Sequence, residues 1–364
     1  MRRLNNRLLV VGFLTILAAP TLASLCRLRP MEGLDEKRAL AKPPELAQVR
    51  WKEIASIAGF AQDWEKYYGD HFGLRKLLIG GYRLAMFHVL RISPNPAGVI
   101  GGWDGHTRWL YFEAAAANNG MGFDGFLGRT PYTQAELAAI AANLARLSKL
   151  FADNHTKFLF VICPDKQSVY PEYLPRNLRP VPGKPSRLDQ LSSVAQNVLG
   201  SHYLDLRAAM RGAKSQGTIY FPADTHWNHK AALLTYQALM QALQEQDPTR
   251  VALPGSAVRW ETLPIVTGDL IDLAGLPVFS REPFLAPVLP TADVPRGRKR
   301  GKLLVLHDSF FRDFLQRYFE FEFEAVKVIY GAHKATGVLL TQEQLTAEKP
   351  DLVVIESAER FWTW

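Results

Sequence analysis

Short apolar runs alternate with helical patterns through the second half of this chain. The apolar runs lie at 158–163, 203–206, 302–306, 325–330 and 350–356. Each run is short and nearly continuous, which is typical of strands buried on both faces. The stretches 188–199 and 229–245 between them have helical periodicity. The alternation predicts an α/β fold, a mostly parallel sheet flanked by helices, with ligands at the carboxyl strand ends, where Asp165, Ser309 and Glu356 fall.

The first half of the chain contains fewer strand patterns. Residues 49–90 have a helical pattern, and two apolar runs around a Gly/Asp turn predict a β-hairpin over 99–112. An amphipathic helix that opens with a capping-box spacing is predicted over 133–154. Residues 246–300 are rich in proline and interrupt the α/β pattern. We interpret them as an insertion before the strand that leads to Ser309.

Residues 1–26 form a predicted export signal. Three arginines precede an apolar run that continues to Leu25, the order found in signal peptides and signal anchors. The run is close to the length that spans a bilayer, and the arginines favour a cytoplasmic amino terminus. We favour an uncleaved anchor over a removed signal peptide, which places the rest of the chain in the periplasm at the inner membrane. A linker over 27–50 then leads into one domain over 51–364.

The composition is that of a soluble body and not of a polytopic membrane protein. Of the 364 residues 48% are hydrophobic, and the mean hydropathy is -0.08. Part of the net charge of +8 comes from the basic run 296–302. That run is either a solvated loop or a face that attracts anionic polysaccharide or lipid headgroups. It contains no aromatic residue and matches no nucleic-acid module, so no nucleic-acid partner is expected.

An acid and an imidazole, separated by one residue, precede the predicted helix 229–245. On an extended segment alternate side chains point the same way, so Asp224 and His226 can share one side of the chain. Ser309 lies between a predicted strand and a helix, where backbone N–H groups and the positive helix end stabilise an oxyanion. Aspartate, histidine and serine are the residue types that serve as acid, general base and nucleophile in such sites. Each alone is more often structural: a turn residue, a hydrogen-bonded histidine and a helix cap.

Other polar residues are weaker candidates. Asp165, Lys166 and Tyr170 follow a predicted strand and either contact an acceptor sugar or form a loop with a salt bridge. No metal-ligand motif accompanies the acid–histidine pair, so no metal site is expected.

Four motifs of this chain together resemble those of one bacterial family. They are Asp224-Thr-His226-Trp227, Gly268-Asp269-Leu270, Asp308-Ser309-Phe310 and the final Lys349-Pro-Asp to Glu359-Arg360. The stretches 67–75 and 99–111 agree as well, so the similarity extends over about 64–360. The combination is similar to the AlgJ/AlgX group of SGNH-hydrolase-like O-acetyltransferases, which acetylate exopolysaccharides such as alginate in the bacterial periplasm.

The resemblance implies a permuted SGNH-like domain with Asp224, His226 and Ser309 as a triad, in the order acid, base, nucleophile. The backbone N–H of Ser309 or Phe310 would be the oxyanion donor. His307 stands where many related enzymes have glycine, so it either crowds this turn or lines the substrate pocket. The chain is more similar to the membrane-anchored AlgJ form than to AlgX, in which a carbohydrate-binding domain follows the catalytic domain.

The reaction implied by the resemblance is acetylation of hydroxyls on an exported, alginate-like polysaccharide through an acetyl-serine. The partners implied are this polysaccharide, an integral-membrane O-acyltransferase that supplies acetyl groups and other polysaccharide-secretion proteins. No cofactor is implied. A periplasmic acetyl esterase and a catalytically silent polysaccharide-binding or scaffold subunit remain alternatives, because hydrolysis and transfer use the same triad.

Overall fold

The fold was analysed in a computed structural model. The structure describes residues 2–26, 39–46, 49–90, 92–93, 95, 98–103, 105, 108–113, 122–263, 268–276, 284–290, 300–312, 314–331 and 340–361. Most of the predicted linker 27–50 lies outside the described residues, as do residues 296–299 of the basic run.

Three helices make up most of the amino-terminal part. They are α1 Arg2–Leu25, α2 Ile54–His71 and α3 Arg75–His88. The chain divides into two compact units: a smaller one of Met1–Asn95 with Ile271–Phe279, and a larger one of Pro96–Leu270 with Ser280–Trp364. The single domain predicted over 51–364 stays a prediction.

Among the described residues, α1 is the one helix long and apolar enough to cross a membrane. Its segment Asn6–Ala23 has a mean hydropathy of 1.6. A signal sequence has the same length and composition. The helix therefore fits both forms of the predicted export signal.

Strands and helices alternate after residue 96. The strands are β1 Val99–Trp103, β2 Arg108–Phe112, β3 Lys157–Cys163, β4 Tyr203–Asp205, β5 Arg259–Leu263, β6 Phe284–Val288, β7 Lys302–His307, β8 Ala325–Tyr330 and β9 Leu352–Ala358. The helices are α4 Phe123–Phe126, α5 Gln134–Asp153, α6 Lys166–Val169, α7 Arg187–Leu199, α8 Arg207–Ala213, α9 His229–Gln246, α10 Asp269–Ala274, α11 Ser309–Arg312, α12 Gln316–Glu322 and α13 Gln342–Glu348.

Five parallel strands form the central sheet of the larger unit. Their order across the sheet is β4-β3-β9-β7-β8, and every pair of neighbours is parallel. This confirms the predicted α/β class. Strand β9, the last strand among the described residues, thus lies in the middle of the sheet between β3 and β7.

Side chains of the central strands alternate between two hydrophobic cores, one on each face. For β3 the two sets are Leu159, Val161 and Cys163 on one face and Phe158, Phe160 and Ile162 on the other. The first core packs against α9 and α12, and the second against α5 and α7. Each large apolar side chain buried in this way contributes about 1.5–3 kcal/mol. The sheet is therefore a firm base for the loops at its carboxyl end.

Two antiparallel hairpins lie outside the central sheet. Strands β1 and β2 pair as predicted, and Trp109 and Tyr111 of β2 are buried in the first core. Strands β5 and β6, both within the predicted insertion 246–300, pair with each other.

Polar side chains follow the carboxyl ends of β3 and β7, as predicted. Asp165 lies two residues after β3, and Ser309 lies two residues after β7. Strand β9, however, continues to Ala358. Glu356 therefore lies inside the strand and not at its end, where the prediction placed it.

Candidate active site

Ser309 is the first residue of α11, and hydrogen bonds fasten the turn that joins β7 to this helix to β9. The turn begins at Asp308, which is fully buried. Its Oδ1 accepts a hydrogen bond from the Phe310 N–H at 2.9 Å, and its Oδ2 accepts one from the Ala358 N–H at 2.6 Å. The Asp308 N–H donates to Glu356 Oε2 at 3.1 Å. The direction of the Ser309 side chain is therefore set by β9 as well as by β7.

Asp224 and His226 lie on the loop before α9, which folds back on itself. Tyr220 and Trp227 form an antiparallel bridge across the loop. The His226 N–H donates to Asp224 Oδ1 at 2.9 Å, which makes an Asx turn. A turn therefore brings the Asp224 carboxylate to the His226 imidazole. The prediction that the two side chains share one side of an extended segment is wrong. Asn228 ends the loop, and its side chain accepts from two N–H groups in the first turn of α9.

The three candidate catalytic side chains form a continuous hydrogen-bonded line. His226 Nδ1 lies 2.6 Å from Asp224 Oδ1, and His226 Nε2 lies 2.7 Å from Ser309 Oγ. All three residues are partly exposed, so a substrate in solution can reach the hydroxyl. The rings of Phe310 and Phe314 lie beside the imidazole, with centroids at 5.0 and 5.8 Å. An acid, an imidazole and a hydroxyl in this order can activate the hydroxyl as a nucleophile.

The Asp224 carboxyl group is held in its charged form. Burial acts to raise the pKa of Asp224, but the hydrogen bond and charge of His226, with N–H groups of Asp269 and His226, outweigh burial and lower the pKa to about 2. A charged Asp224 makes Nδ1 the donor in their hydrogen bond. The neutral imidazole then carries its lone pair on Nε2, where it accepts from the Ser309 hydroxyl.

A second aspartate, Asp269, supports the acid–histidine loop. Its oxygens accept from the Thr225 N–H at 2.7 Å and from the Thr225 hydroxyl at 2.6 Å, and its own N–H donates to Asp224 Oδ2 at 3.0 Å. Gly268 permits this approach, because a Cβ there would lie 2.0 Å from the Ala223 carbonyl oxygen. No catalytic pattern pointed to Asp269. The signal that could have found it is the motif Gly268-Asp269-Leu270, which the sequence analysis used for the family resemblance but to which it gave no role in the site.

The two predicted oxyanion donors differ in availability. The Phe310 N–H donates to Asp308 Oδ1, so it is committed and its assignment as an oxyanion donor is corrected. The Ser309 N–H has no acceptor among the residues that the structure describes. The Ser309 amide is therefore the remaining candidate of the two.

Lys166 is buried and cannot contact a sugar as predicted. The residue is 3% exposed, and its ammonium group donates to the carbonyl oxygens of Leu110 at 2.8 Å and Pro222 at 3.0 Å. The ammonium also lies 5.7 Å from the ring centroids of Trp109 and Tyr111. These contacts tie β2 to the acid–histidine loop, which corrects the role of Lys166 from substrate contact to loop positioning.

The other three residues predicted to contact substrate are also buried. Asp165 forms an ion pair with Arg360. The Tyr170 hydroxyl accepts from a backbone N–H at 3.1 Å, and His307 Nδ1 lies 2.6 Å from a backbone carbonyl oxygen. With exposures of 1–3%, none of the three side chains presents a surface to a sugar. Their assignment as substrate contacts is corrected for that reason.

A cluster of buried carboxyl groups lies behind the Ser309 turn. It comprises Asp165, Asp308, Glu356 and Glu359, with Arg360 as the cation paired to Asp165. Burial, followed by the charge of Asp165, raises the pKa of Glu359 to about 8. Burial, followed by the charge of Asp308, raises the pKa of Glu356. The loss of hydration and the repulsion between like charges therefore favour the protonated forms of both carboxyl groups, and Glu359 is mostly protonated at neutral pH.

Three side chains of the site have atoms close enough together to hold a metal ion. Ligand atoms of Asp224, His226 and Asp269 all lie within 4.8 Å of one another. Each of these side chains already has hydrogen-bond partners within the loop. A metal ion bound by these atoms would displace the hydrogen bond between the His226 ring and the Asp224 carboxylate. The acid–base arrangement depends on that hydrogen bond.

Glu359→Gln should flatten the pH dependence of stability. The folded protein keeps this carboxyl protonated up to about pH 8, while an unfolded chain ionises it above about pH 4.5. Between these values the unfolded chain binds fewer protons, so wild-type stability falls with rising pH by up to about 1.4 kcal/mol per pH unit. Glutamine imitates the protonated form and removes this contribution. Denaturant unfolding from pH 5 to pH 8 measures the slope.

The exposed Glu343→Gln variant is the matched control for this measurement. It should keep the wild-type slope. Equal slopes for Glu359→Gln and the wild type would contradict a protonated Glu359 in the folded protein.

Comparison with known proteins identifies the family. Residues 103–304 match the family described as "SGNH hydrolase-like domain, acetyltransferase AlgX", a segment that includes Asp224 and His226 and ends shortly before Ser309. A "Probable alginate O-acetylase AlgJ" of Pseudomonas syringae pv. tomato is 27% identical over 233 residues, covering 63% of this chain and 53% of the relative. The AlgJ of Pseudomonas putida, described in the same words, is 27% identical over 253 residues, covering 67% and 58%.

The chain thus spans about half the length of these curated relatives. Among solved structures, the "O-Acetyltransferase Domain of Pseudomonas putida AlgJ" has 22% identity and a TM-score of 0.49, covering 72% of this chain and 91% of that one. A DHHW family protein from Eubacterium siraeum has 16% identity, the same TM-score and the same coverage. Because the family match extends over more than half of the residues, the chain belongs to the AlgX family of SGNH hydrolase-like acetyltransferases.

Proposed function

We propose that the chain is an O-acetyltransferase that acetylates hydroxyls of an exported, acidic polysaccharide through an acetyl-serine. The observation that carries the proposal is the hydrogen-bonded line from Asp224 through His226 to Ser309. Family membership supports acetyl transfer as the chemistry. The relatives described as probable alginate O-acetylases support an acidic polysaccharide as the acceptor.

In the first half-reaction Ser309 attacks the carbonyl carbon of an acetyl ester. His226 Nε2 takes the hydroxyl proton while the bond from Oγ to carbon forms, and the charged Asp224 stabilises the imidazolium. The Ser309 N–H is placed to stabilise the oxyanion. When the tetrahedral intermediate collapses, the imidazolium returns the proton to the departing oxygen of the donor. Acetyl-Ser309 remains.

In the second half-reaction a sugar hydroxyl attacks the acetyl-serine. His226 Nε2 accepts the proton of this hydroxyl, and then transfers it to Ser309 Oγ as the acetyl group moves to the sugar oxygen. Water in place of the sugar would release acetate. Transfer and hydrolysis therefore differ only in the acceptor, so a test of function must measure both products.

We also propose the location and organisation that the sequence predicted. Helix α1 would anchor the chain in the inner membrane, with the catalytic domain in the periplasm and residues 246–300 as an insertion in that domain. The length and apolar character of Asn6–Ala23 support the anchor. An integral-membrane O-acyltransferase would supply acetyl groups from the other side of the membrane.

Ser309→Ala in the full chain tests the nucleophile. The variant should lose acetyl transfer from 4-nitrophenyl acetate to an oligouronate, and should no longer gain the mass of one acetyl group. Loss of a triad serine or histidine lowers turnover by about six orders of magnitude, and loss of the acid by about four. His226→Ala should therefore match Ser309→Ala, and Asp224→Ala should be milder.

The exposed Ser201→Ala variant is the matched control and should transfer acetyl groups normally. Unchanged transfer by a folded Ser309→Ala protein would overturn the proposal and favour a scaffold subunit. Release of acetate by the wild type, with no acetylated sugar in the presence of the acceptor, would favour an esterase.

Asp269→Ala should lower kcat by about 10- to 100-fold and leave KM nearly unchanged, because the residue holds the loop of Asp224 and not the substrate. Asp269→Asn keeps one carbonyl oxygen for the Thr225 N–H and should recover much of the rate. Turnover of 4-nitrophenyl acetate over a range of concentrations separates kcat from KM. A raised KM with unchanged kcat would indicate a substrate contact in place of a positioning role.

A further inference from the structure

A polar cavity of about 590 Å³ opens at the amino ends of the central strands. Its lining includes Lys157 at the start of β3, Gly301 just before β7 and Leu352 at the start of β9. Ser309 follows the opposite end of β7, whose six residues span about 20 Å at about 3.3 Å per residue. The cavity is therefore separate from the candidate active site.

The charged side chains that line this cavity are mostly basic. They are Lys157, Arg250, Arg300, Lys349, Asp247 and Asp351. Asp247 lies 3.9 Å from the Lys157 ammonium and 3.5 Å from Arg250 Nε. Asp351 accepts from a backbone N–H at 2.7 Å. Four cations against two carboxylates leave the cavity positively charged.

Two of the lining residues have an unusual backbone conformation. His155 and Lys349 have φ of 51° and 46°, and they are the two non-glycine residues with positive φ in the described part of the chain. Glycine and asparagine adopt this conformation at lower cost. Both side chains are exposed, and neither has a hydrogen-bond or ion-pair partner among the described residues. Both positions end a helix: Lys349 is the C-cap of α13 and His155 follows the C-cap of α5, so the left-handed conformation closes these helices. The two helix ends place an exposed imidazole and an exposed ammonium at one cavity, where they can attract an anion.

The remaining lining favours a carboxylated sugar chain over a polyphosphate. Asn154, Thr156 and Thr346 offer amide and hydroxyl groups, and Asp247 and Asp351 can accept hydrogen bonds from sugar hydroxyls. A uronate polymer carries carboxylates separated by hydroxyls, which matches cations interspersed with acceptors. The two aspartates would repel closely spaced phosphates. The described residues of the lining also include no Phe, Tyr or Trp on which nucleic-acid bases could stack.

We propose that this cavity binds a segment of an acidic, carboxylate-bearing polysaccharide at a distance from Ser309. The inference rests on the proposed function for the choice of an acidic polysaccharide, but it does not require Ser309 to be a nucleophile. A polymer held there would keep its neighbouring segments near the enzyme between acetylations, because a second attachment raises the local concentration. Arg300 belongs to the basic run 296–302 and lines the cavity, so the described end of that run is part of the proposed binding surface.

Calorimetric titration of the full chain with a purified oligouronate tests the proposal. The double variant Lys157→Gln/Lys349→Asn removes two cations and places at 349 a residue that tolerates the left-handed conformation. Its affinity should fall by about five- to tenfold, the worth of two partly exposed ion pairs, and the difference should shrink at high salt. Lys52→Gln/Lys66→Gln removes the same charge from exposed sites in the smaller unit and should bind like the wild type.

Two further probes distinguish ligand classes. A cello-oligosaccharide of the same length should bind more weakly than the oligouronate, and inorganic polyphosphate should not bind more tightly. Equal affinity of the double variant and the wild type for the oligouronate would overturn the proposal, as would tighter binding of polyphosphate.

The same titration with Ser309→Ala separates this proposal from the proposed function. Binding is measured without an acetyl donor, so Ser309→Ala should retain the affinity of the wild type. The double variant in turn should retain 4-nitrophenyl acetate turnover while acetylating long polymers more slowly. Loss of 4-nitrophenyl acetate turnover in the double variant would show that the cavity acts on the catalytic centre itself. It would overturn the proposal that the cavity is a separate binding site for the polysaccharide.

Discussion

The hydrogen bond between His226 Nε2 and Ser309 Oγ joins two loops that lie 83 residues apart in the chain. Its length of 2.7 Å depends on supports outside the pair. Asp308 fastens the serine turn to β9, and Asp269 fastens the histidine loop through Thr225. A displacement of about 1 Å on either side would break alignment of the hydroxyl with the imidazole. The candidate chemistry thus depends on backbone placement by the buried carboxyl group of Asp308 and the exposed one of Asp269.

Carboxyl groups near Ser309 occupy two contrasting environments. Asp224 receives hydrogen bonds from N–H groups, which lower its pKa, so its charge is available to an imidazolium beside it. Glu356 and Glu359 lie in the interior behind the serine, where burial raises the pKa of both. Two ionised groups there would oppose an oxyanion on the nearby substrate carbonyl. When Glu356 and Glu359 are protonated, the charge of Asp224 still favours proton transfer from Ser309 to His226.

Periodicity in the sequence was sufficient to predict the strands and helices of the sheet, because buried parallel strands have continuous apolar runs. The types and order of Asp224, His226 and Ser309 were likewise evident. Three other features of the site could not be predicted, because they depend on how the backbone folds. They are the Asx turn, the hydrogen bonds from Asp269 and the hydrogen bond that occupies the Phe310 N–H. Lys166 was misjudged for a related reason: a lysine after a strand is usually solvated, and only the fold supplies the two carbonyl oxygens that satisfy it when buried.

The central place of β9 has a consequence for the order of folding. Strands β3 and β7 hydrogen-bond to β9 and not to each other, so the sheet cannot close until residues 352–358 are available. Pairing of this kind joins parts of the chain that are distant in sequence, which slows folding. During synthesis a partly completed chain would contain Asp224, His226 and Ser309 without the Ala358 amide that holds the serine turn. The turn that carries Ser309 therefore gains this support only after β9 has joined the sheet.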